Sequence, residues 1–513
     1  MDDRPRPAGR AARPLPARLL AIAACALLTT GCLVGPRYRR PEVPLPEAWR
    51  EVPAAESATL ANTPWWEIFQ DPPLQELIRV ALAENKDLKI AIERIEEARA
   101  LYGFTKADLW PQVDLEASGT RVEPSEKGLV PPQPGQERDI SLYHTAATVN
   151  WELDFFGRIR RATEAQRAAL MATEEARRAV TITLVADTAR AYMELRDFDR
   201  RLEIGRQTLE SRREYLDLAR TRYEGGLTSE LDARQAEAEY HRTAALVHDF
   251  ERLVAQKENE LAVLLGRNPA AVPRGRPVMD QPLPPAVPAG LPSDLIERRP
   301  ELRQAEQNLI AANARIGEAK ALLFPRIPLT GSYGSTSTDL DDLFTAPART
   351  WSLAAGLLQP IFNAGRNRRR VEVTESRQRQ ALYAYELAIL AAFREVEDSL
   401  AAYGSAGQRR ASQGSRVAAE RQVLNLAEAR YRGGVSAYLE VLDAQRSLFA
   451  AELDEIQAVS DQLIAMVRLY KALGGGWIPE PSGEAAAAGE GAAPADTMAE
   501  PPAAPAGSPG APR

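Results

Sequence analysis

The sequence predicts a mixed, mainly helical chain, built as an internal duplication in which two long helix hairpins alternate with two pairs of β-strands. Three observations carry that expectation. First, the chain holds 38 prolines, yet none falls in 157–265 or 365–473, two blocks of 109 residues. Proline costs about 3 kcal/mol inside a helix, so its exclusion marks both blocks as helical. Second, the blocks repeat each other at an offset of 208 residues: Gly157-Arg158 matches Gly365-Arg366, and Leu265-Gly266 matches Leu473-Gly474. At the same offset Arg222-Tyr223-Glu224-Gly225-Gly226 matches Arg430-Tyr431-Arg432-Gly433-Gly434. Third, the apolar period is seven within the blocks and two in the segments before them.

Taken from the N-terminus, residues 1–31 read as a signal peptide. Arg4, Arg6, Arg10, Arg13 and Arg18 precede an apolar run from Leu19 to Leu28. That run is too short to span a bilayer as a helix and suits a secretory core. Gly31 directly before Cys32 resembles a bacterial lipoprotein processing site, although Leu28 stands one place further from the cysteine than is usual. Cleavage there frees Cys32 for acylation, and Leu33 in place of an Asp favours the outer membrane. Residues 32–84 then form a lipidated extended segment with a first short helix.

The first repeat spans 85–266: a helix near Asn85–Asp108, two strands, and a helix hairpin. From Val113 the chain alternates, with Val113, Leu115 and Ala117 opposite Asp114, Glu116 and Ser118. A Pro/Gly-rich loop at 123–139 leads to a strand with Tyr143, Ala147, Val149, Trp151 and Leu153 on one face. Opposite them stand His144, Thr148, Asn150, Glu152 and Asp154. The long helix Gly157–Tyr223, about 67 residues or roughly 100 Å, carries Leu195, Leu202, Leu209 and Leu216 at the coiled-coil period. Glycines end it and reverse the chain, and Leu227–Leu265 returns.

A Pro-rich connector, 267–292, leads to the second repeat, 293–475. Here Ile327, Leu329 and Tyr333 face away from Thr330, Ser332 and Thr336, and Trp351, Leu353, Ala355 and Leu357 away from Ser352 and Gly356. The helices Gly365–Tyr431, with Leu382, Ile389, Val396 and Tyr403, and Val435–Leu473 complete it. The tail 476–513 is rich in Ala and Pro and reads as disordered. Each short helix stacked on a return helix nearly equals the long one in length, so each repeat yields two parallel columns. That is how a wall is built. Strands of 9–11 residues with apolar-out, polar-in alternation suit a membrane barrel. Four strands cannot close one alone, and an open edge in lipid is forbidden, so several copies are needed; counting leaves dimer, trimer and tetramer open.

Composition removes other classes. Charged residues at 26% and a mean hydropathy of −0.33 exclude a polytopic helical membrane protein. The net charge of −7, more negative still without the basic leader, argues against nucleic acid. Cys25 and Cys32 build no disulfide framework, and His241 and His248 lie about two helical turns apart, too far to share a metal. No Gly-rich phosphate loop with its Lys, no His-Glu-x-x-His and no Ser/His/Asp grouping is present. The expectation is therefore no catalysis, no metal and no cofactor beyond a covalent lipid on Cys32. A structural lipoprotein tether is the rival reading, but a tether needs no alternating strands.

Four motifs in order, across 31–475, resemble the TolC-like outer-membrane factors of tripartite efflux systems, in their lipoprotein (OprM/NodT-like) branch. They are Gly31–Pro44, Trp65–Leu74, Leu291–Pro300 running into Ala311–Gly317, and Leu439–Arg446. Arg37 replaces an Asp common in the first. The resemblance implies a homotrimer whose 12 strands form one outer-membrane barrel, continuous with a periplasmic α-helical barrel. It implies a passive exit duct served by a periplasmic adaptor protein and an inner-membrane resistance-nodulation-division transporter. The tips, Arg222, Tyr223, Gly225, Gly226, Arg430, Tyr431, Gly433 and Gly434, would meet those partners. Relatives often carry an acid just after the glycines, whereas here Leu227-Thr228-Ser229 and Val435-Ser436-Ala437 follow. Glu230, Asp232, Ser436, Tyr438 and Glu440 are therefore the candidate gate.

Overall fold

A computed structural model describes residues 33–46, 48–50, 69–123, 139–283 and 292–475. The signal peptide, Cys32, Trp65-Trp66, most of the 123–139 loop and the tail lie outside the described residues. The elements are α1 (Pro72–Glu84), α2 (Lys86–Ala107), β1 (Gln112–Val122), β2 (Ile140–Leu153), α3 (Arg158–Glu224) and α4 (Glu230–Leu264). After a short turn of helix α5 (Asp294–Arg298), the pattern repeats as α6 (Pro300–Ala321), β3 (Ile327–Ser337), β4 (Arg349–Ala355), α7 (Arg366–Arg432) and α8 (Tyr438–Ala472).

The long helices α3 and α7 have 67 residues each. Both begin after a glycine of positive φ, Gly157 at 77° and Gly365 at 81°, which turns the chain from strand into helix. The short and return helices stack end to end. Asn85 makes one joint: its Oδ1 accepts from the Leu88 N–H at 2.9 Å, capping α2, while its Nδ2 donates to the Leu264 carbonyl at 2.9 Å, at the end of α4. At the second joint Arg299 Nη1 donates to the Ala472 carbonyl at 3.4 Å, where α8 meets α6.

Apolar burial is concentrated around those joints. Leu74 and Ile78 of α1, Tyr192 and Leu195 of α3, and Leu463, Met466 and Tyr470 of α8 form one core. Leu302 and Leu309 of α6, Ile389 and Val396 of α7, and Trp49 form another. Ile389 and Val396 are thus seam positions in fact, as the seven-residue period indicates, and Leu195 and Leu216 are buried likewise. Residues 33–46 run as a strap along the helices: Asn313 Nδ2 donates to the Pro36 carbonyl at 3.1 Å, and Arg40 and Tyr38 both donate to Glu306. The 267–292 connector is not wholly extended, since Val278–Asp280 forms a 3-10 turn. Buried Asp71 fixes it there by accepting from the Arg276 N–H at 3.2 Å and Gln281 Nε2 at 2.7 Å.

The strands form one antiparallel sheet in the order β1-β2-β3-β4, with β1 and β4 as unpaired edges. β4 is shorter than its alternation suggests, and Leu357 lies past its end. The reason is Pro328: its carbonyl accepts from the Gly356 N–H at 2.9 Å, but it has no N–H to return. Pairing resumes only as an isolated Arg326–Leu358 bridge.

Candidate functional site: the sheet faces and the hairpin tips

The sheet register aligns side chains by polarity from edge to edge. Leu115, Ala147, Tyr333 and Trp351 stand opposite one another in a single row. The next residues along form a second row, Asp114, Thr148, Ser332 and Ser352. Because successive side chains point to opposite faces, one face is apolar and the other polar. The apolar face is bare: Leu115 is 81%, Tyr333 64%, Trp351 75% and Leu353 79% exposed. A naked apolar face with polar groups behind it is the arrangement of a barrel wall in lipid. Among the described residues no helix is long and apolar enough to cross a membrane.

Glu152 and Asp154 have structural work at the foot of this sheet. Glu152 pairs with Arg158 at 3.0 Å, and Asp154 caps α3 by accepting from the Ile159 and Arg160 N–H groups at 3.1 and 2.8 Å. At the same foot Val34 N–H donates to the Phe156 carbonyl at 3.3 Å, and Leu33 packs on Gly157. The strap thus begins beside the junction of strand and helix.

At the far end both hairpins turn through the same hydrogen-bond pattern. Gly226 N–H donates to the Tyr223 carbonyl at 2.9 Å and Leu227 N–H to the Arg222 carbonyl at 2.8 Å. Gly434 and Val435 repeat this on Tyr431 and Arg430, both at 3.0 Å. Gly226 and Gly434 have φ of 70° and 72°, the left-handed geometry of a Schellman end. Gly225 and Gly433 donate to Thr221 and Ala429, each at 3.0 Å, and Tyr223 is exposed.

Contacts between the two hairpins are aromatic and charged. Arg222 Nη1 donates to the Tyr431 hydroxyl at 2.8 Å. Tyr438 lies 5.7 Å from Tyr431 and 6.4 Å from Tyr215, ring centre to ring centre. The Tyr215 hydroxyl donates to Glu428 at 2.7 Å, and burial followed by that acid pushes its pKa up to about 12. Deeper in, Arg212 donates to Gln445 and Arg446 to Glu239. Burial lowers the Arg212 pKa; Glu239 is held below the usual carboxylate range because Arg446 outweighs the burial that would raise it.

Of the candidate gate residues, the structure brings Tyr438 into this contact, 4% exposed, and pairs Glu440 with Arg430 at 3.5 Å. Glu230 and Asp232 serve α4 itself: Glu230 pairs with Arg234 at 3.3 Å, and Asp232 accepts from Thr228. The Ser436 and Tyr438 hydroxyls are buried without a hydrogen-bond partner among the described residues. Sequence reasoning missed Tyr215, Arg212, Gln445, Glu239 and Glu428. Arg212 sits one helical turn before the seam residue Leu216, on the same face, and a charge at that spacing was the available signal.

Such a sheet on a wall of long helices defines a subunit of an outer-membrane channel. The chain belongs to the outer membrane efflux protein family, whose model matches residues 77–267 and 291–475. It is 40% identical over 458 residues to the solvent efflux pump outer membrane protein SrpC of Pseudomonas putida, covering 88% of this chain and 97% of that protein. Its identity to the outer membrane protein OprJ of Pseudomonas aeruginosa is 38% over 464 residues, with coverages of 88% and 94%. The solved open state of the Neisseria gonorrhoeae MtrE outer membrane channel superposes with a TM-score of 0.79 at 32% identity, covering 87% and 98%. The protein is an outer-membrane channel of an efflux pump, a homotrimer in which three four-stranded sheets close one barrel above a helical tunnel.

Proposed function

We propose that the chain is a passive exit duct, performing no chemistry and taking its energy from an inner-membrane transporter of the resistance-nodulation-division class through a periplasmic adaptor. The observation that carries this is the segregation of the sheet into the Leu115–Ala147–Tyr333–Trp351 row and the Asp114–Thr148–Ser332–Ser352 row. A polar face turned inward lines a water-filled bore, which moves solute without binding it tightly. Small organic molecules are the cargo class, in line with the solvent in SrpC's name.

The adaptor meets the hairpin tips at Arg222–Gly226 and Arg430–Gly434, and the Arg222–Tyr431–Tyr438 contact holds the resting gate closed, with Glu440, Ser436, Glu230 and Asp232 around it. Residues 1–31 are removed, and Cys32 carries acyl chains that anchor the N-terminus. Leu33 supports this reading, because it packs on Gly157 at the junction of strand and helix, so the strap begins beside the sheet. Each buried methylene adds about 0.8 kcal/mol of membrane affinity. The remaining units are the two repeats, 85–266 and 293–475, the 267–292 connector and the tail from 476.

The test is conductance of purified protein in planar bilayers, paired with a particle mass. A trimer with discrete channel events that grow when the Tyr431–Glu440 tip is loosened supports the gated duct. An elongated particle that never conducts, tip-altered or not, sinks it. Cys32→Ala tests the anchor: full, correctly sorted activity removes that role.

A further inference from the structure

The duplication is unequal where strands become helices. In the first repeat the arginines at the start of α3 are neutralised, Arg158 by Glu152 at 3.0 Å and Arg160 by Asp154 at 3.3 Å. The offset of 208 residues carries Arg158 and Arg160 onto Arg366 and Arg368, but Glu152 and Asp154 onto Pro360 and Phe362. The second repeat therefore keeps the cations and loses their acids. Arg366, Arg370 and Arg377 of α7 share a groove of about 550 Å³ with Arg315 and Glu318 of α6 and with Leu322 just past its end. All four of these arginines are exposed. None forms an ion pair among the described residues, whereas Arg369 beside them is held by Glu372 at 2.6 Å.

The side of the wall on which this groove opens follows from the helix. Glu306, Asn313 and Gly317 of α6 lie on one stripe, and that stripe is covered by the strap. At about 100° per residue, Arg315 is turned about 200° from Asn313 and so faces away from the strap. Glu318 is within electrostatic reach of Arg158, which is paired with Glu152 on the polar face of the sheet. Facing away from the strap, at the level where the polar face of the sheet meets the helices, the groove is placed on the side that becomes the bore.

We propose that this groove is an anion-binding site in the wall of the duct, in which Arg315, Arg366, Arg370 and Arg377 engage phosphate or carboxylate groups of passing solutes. Guanidinium forks suit such planar or tetrahedral oxyanions and cannot be switched off by deprotonation. Charged groups lining a pore also set its ion preference, so the site makes the channel favour anions, three grooves acting on one bore.

The experiment uses the full trimer in planar bilayers under a potassium chloride gradient, with inorganic triphosphate as the probe. The wild type passes chloride in preference to potassium, and triphosphate reduces its current. In Arg366→Gln/Arg370→Gln/Arg377→Gln the permeability ratio falls by about twofold or more and the triphosphate block is lost. The corresponding triple lysine variant keeps the ion preference but binds triphosphate less well, because the fork is gone. Arg315→Gln, a single change at an exposed site, moves both readouts the same way by less and stands in if the triple glutamine variant fails to assemble. A wild type that conducts without anion preference, or glutamine variants with unchanged ratio and block, overturns the site and leaves the duct standing. A wild type that never conducts overturns both.

Discussion

Arg222 and Tyr431 join the two hairpin tips: the guanidinium donates to the hydroxyl at 2.8 Å and sits 5.2 Å from the centre of the same ring. Each repeat ends its long helix with Arg-Tyr, and here the arginine of the first copy meets the tyrosine of the second. The pair carries both a hydrogen bond and a cation–π contact, each worth about 1 kcal/mol. Removing one half at a time separates them. Tyr431→Phe keeps the ring and loses the bond, so the ratio of open to closed channels rises by about fivefold. Arg222→Gln loses the cation as well and opens the channel further. Single-channel recording of both variants measures the order; a tip contact without a role in closure leaves both at the wild-type ratio.

Acidity acts on two buried carboxylates in opposite directions. Glu239 titrates below the usual carboxylate range, so its contribution to stability is present above that range and is lost as pH falls through the depressed folded value. Asp197 is raised to about 6 because burial outweighs its Arg201 partner. Its contribution is full below the ordinary value of 3.8 and is lost as pH rises through 6. Glu239→Gln therefore loosens the α4–α8 contact near neutral pH, by about 1–3 kcal/mol, and has little effect once Glu239 is protonated. Asp197→Asn flattens the pH dependence of α3 between 4 and 6 instead. Amide exchange in peptides from the two regions, corrected for intrinsic rates, reports each separately.

Two glycines of β3 make a sharper contrast than any pair in the helices. A Cβ at Gly334 would fall 2.0 Å from the Thr145 carbonyl oxygen, a backbone atom that cannot move without breaking the β2–β3 ladder. At Gly331 the nearest atom would be 3.8 Å away. Gly334→Ala is expected to block barrel formation, leaving protein that is cleared by proteases and absent from the outer membrane. Gly331→Ala assembles as the wild type does. Outer-membrane yield of trimer decides it, and equal yields would refute the close approach.

The fold was legible because its signals are long and redundant. A proline-free block of 109 residues and a repeated Arg-Tyr-x-Gly-Gly fix helix and turn without any alignment. The strand faces were legible too, since one period-two run sets the parity of every residue in it. The tip contacts were not. Tyr438 is a candidate gate residue by its place after the glycines, but its ring partners are not written in the sequence, and which of Glu230, Asp232 and Glu440 reaches across depends on helix rotation. Arg212 and Glu239 escaped because the seam was read from its leucines, and buried ion pairs between helices leave no periodic trace. Leu357 failed for a local reason: a missing N–H at Pro328 ends a ladder that alternation alone would extend.

That parity gives the last prediction its sign. Leu353 and Ser352 are neighbours on β4, yet Leu353 shares a row with Val149 and Val113 while Ser352 shares one with Thr148 and Asp114. If the apolar row faces lipid, Leu353→Arg places a charge in the hydrocarbon at a cost of about 2–4 kcal/mol near the midplane. Ser352→Arg places the same side chain in the wetted bore, where it costs little and instead adds positive charge to the permeation path. Urea titration of protein folded into phospholipid vesicles should separate the two variants by that amount. Equal losses would mean that both faces meet the same medium, and the barrel assignment of this sheet would fall with them.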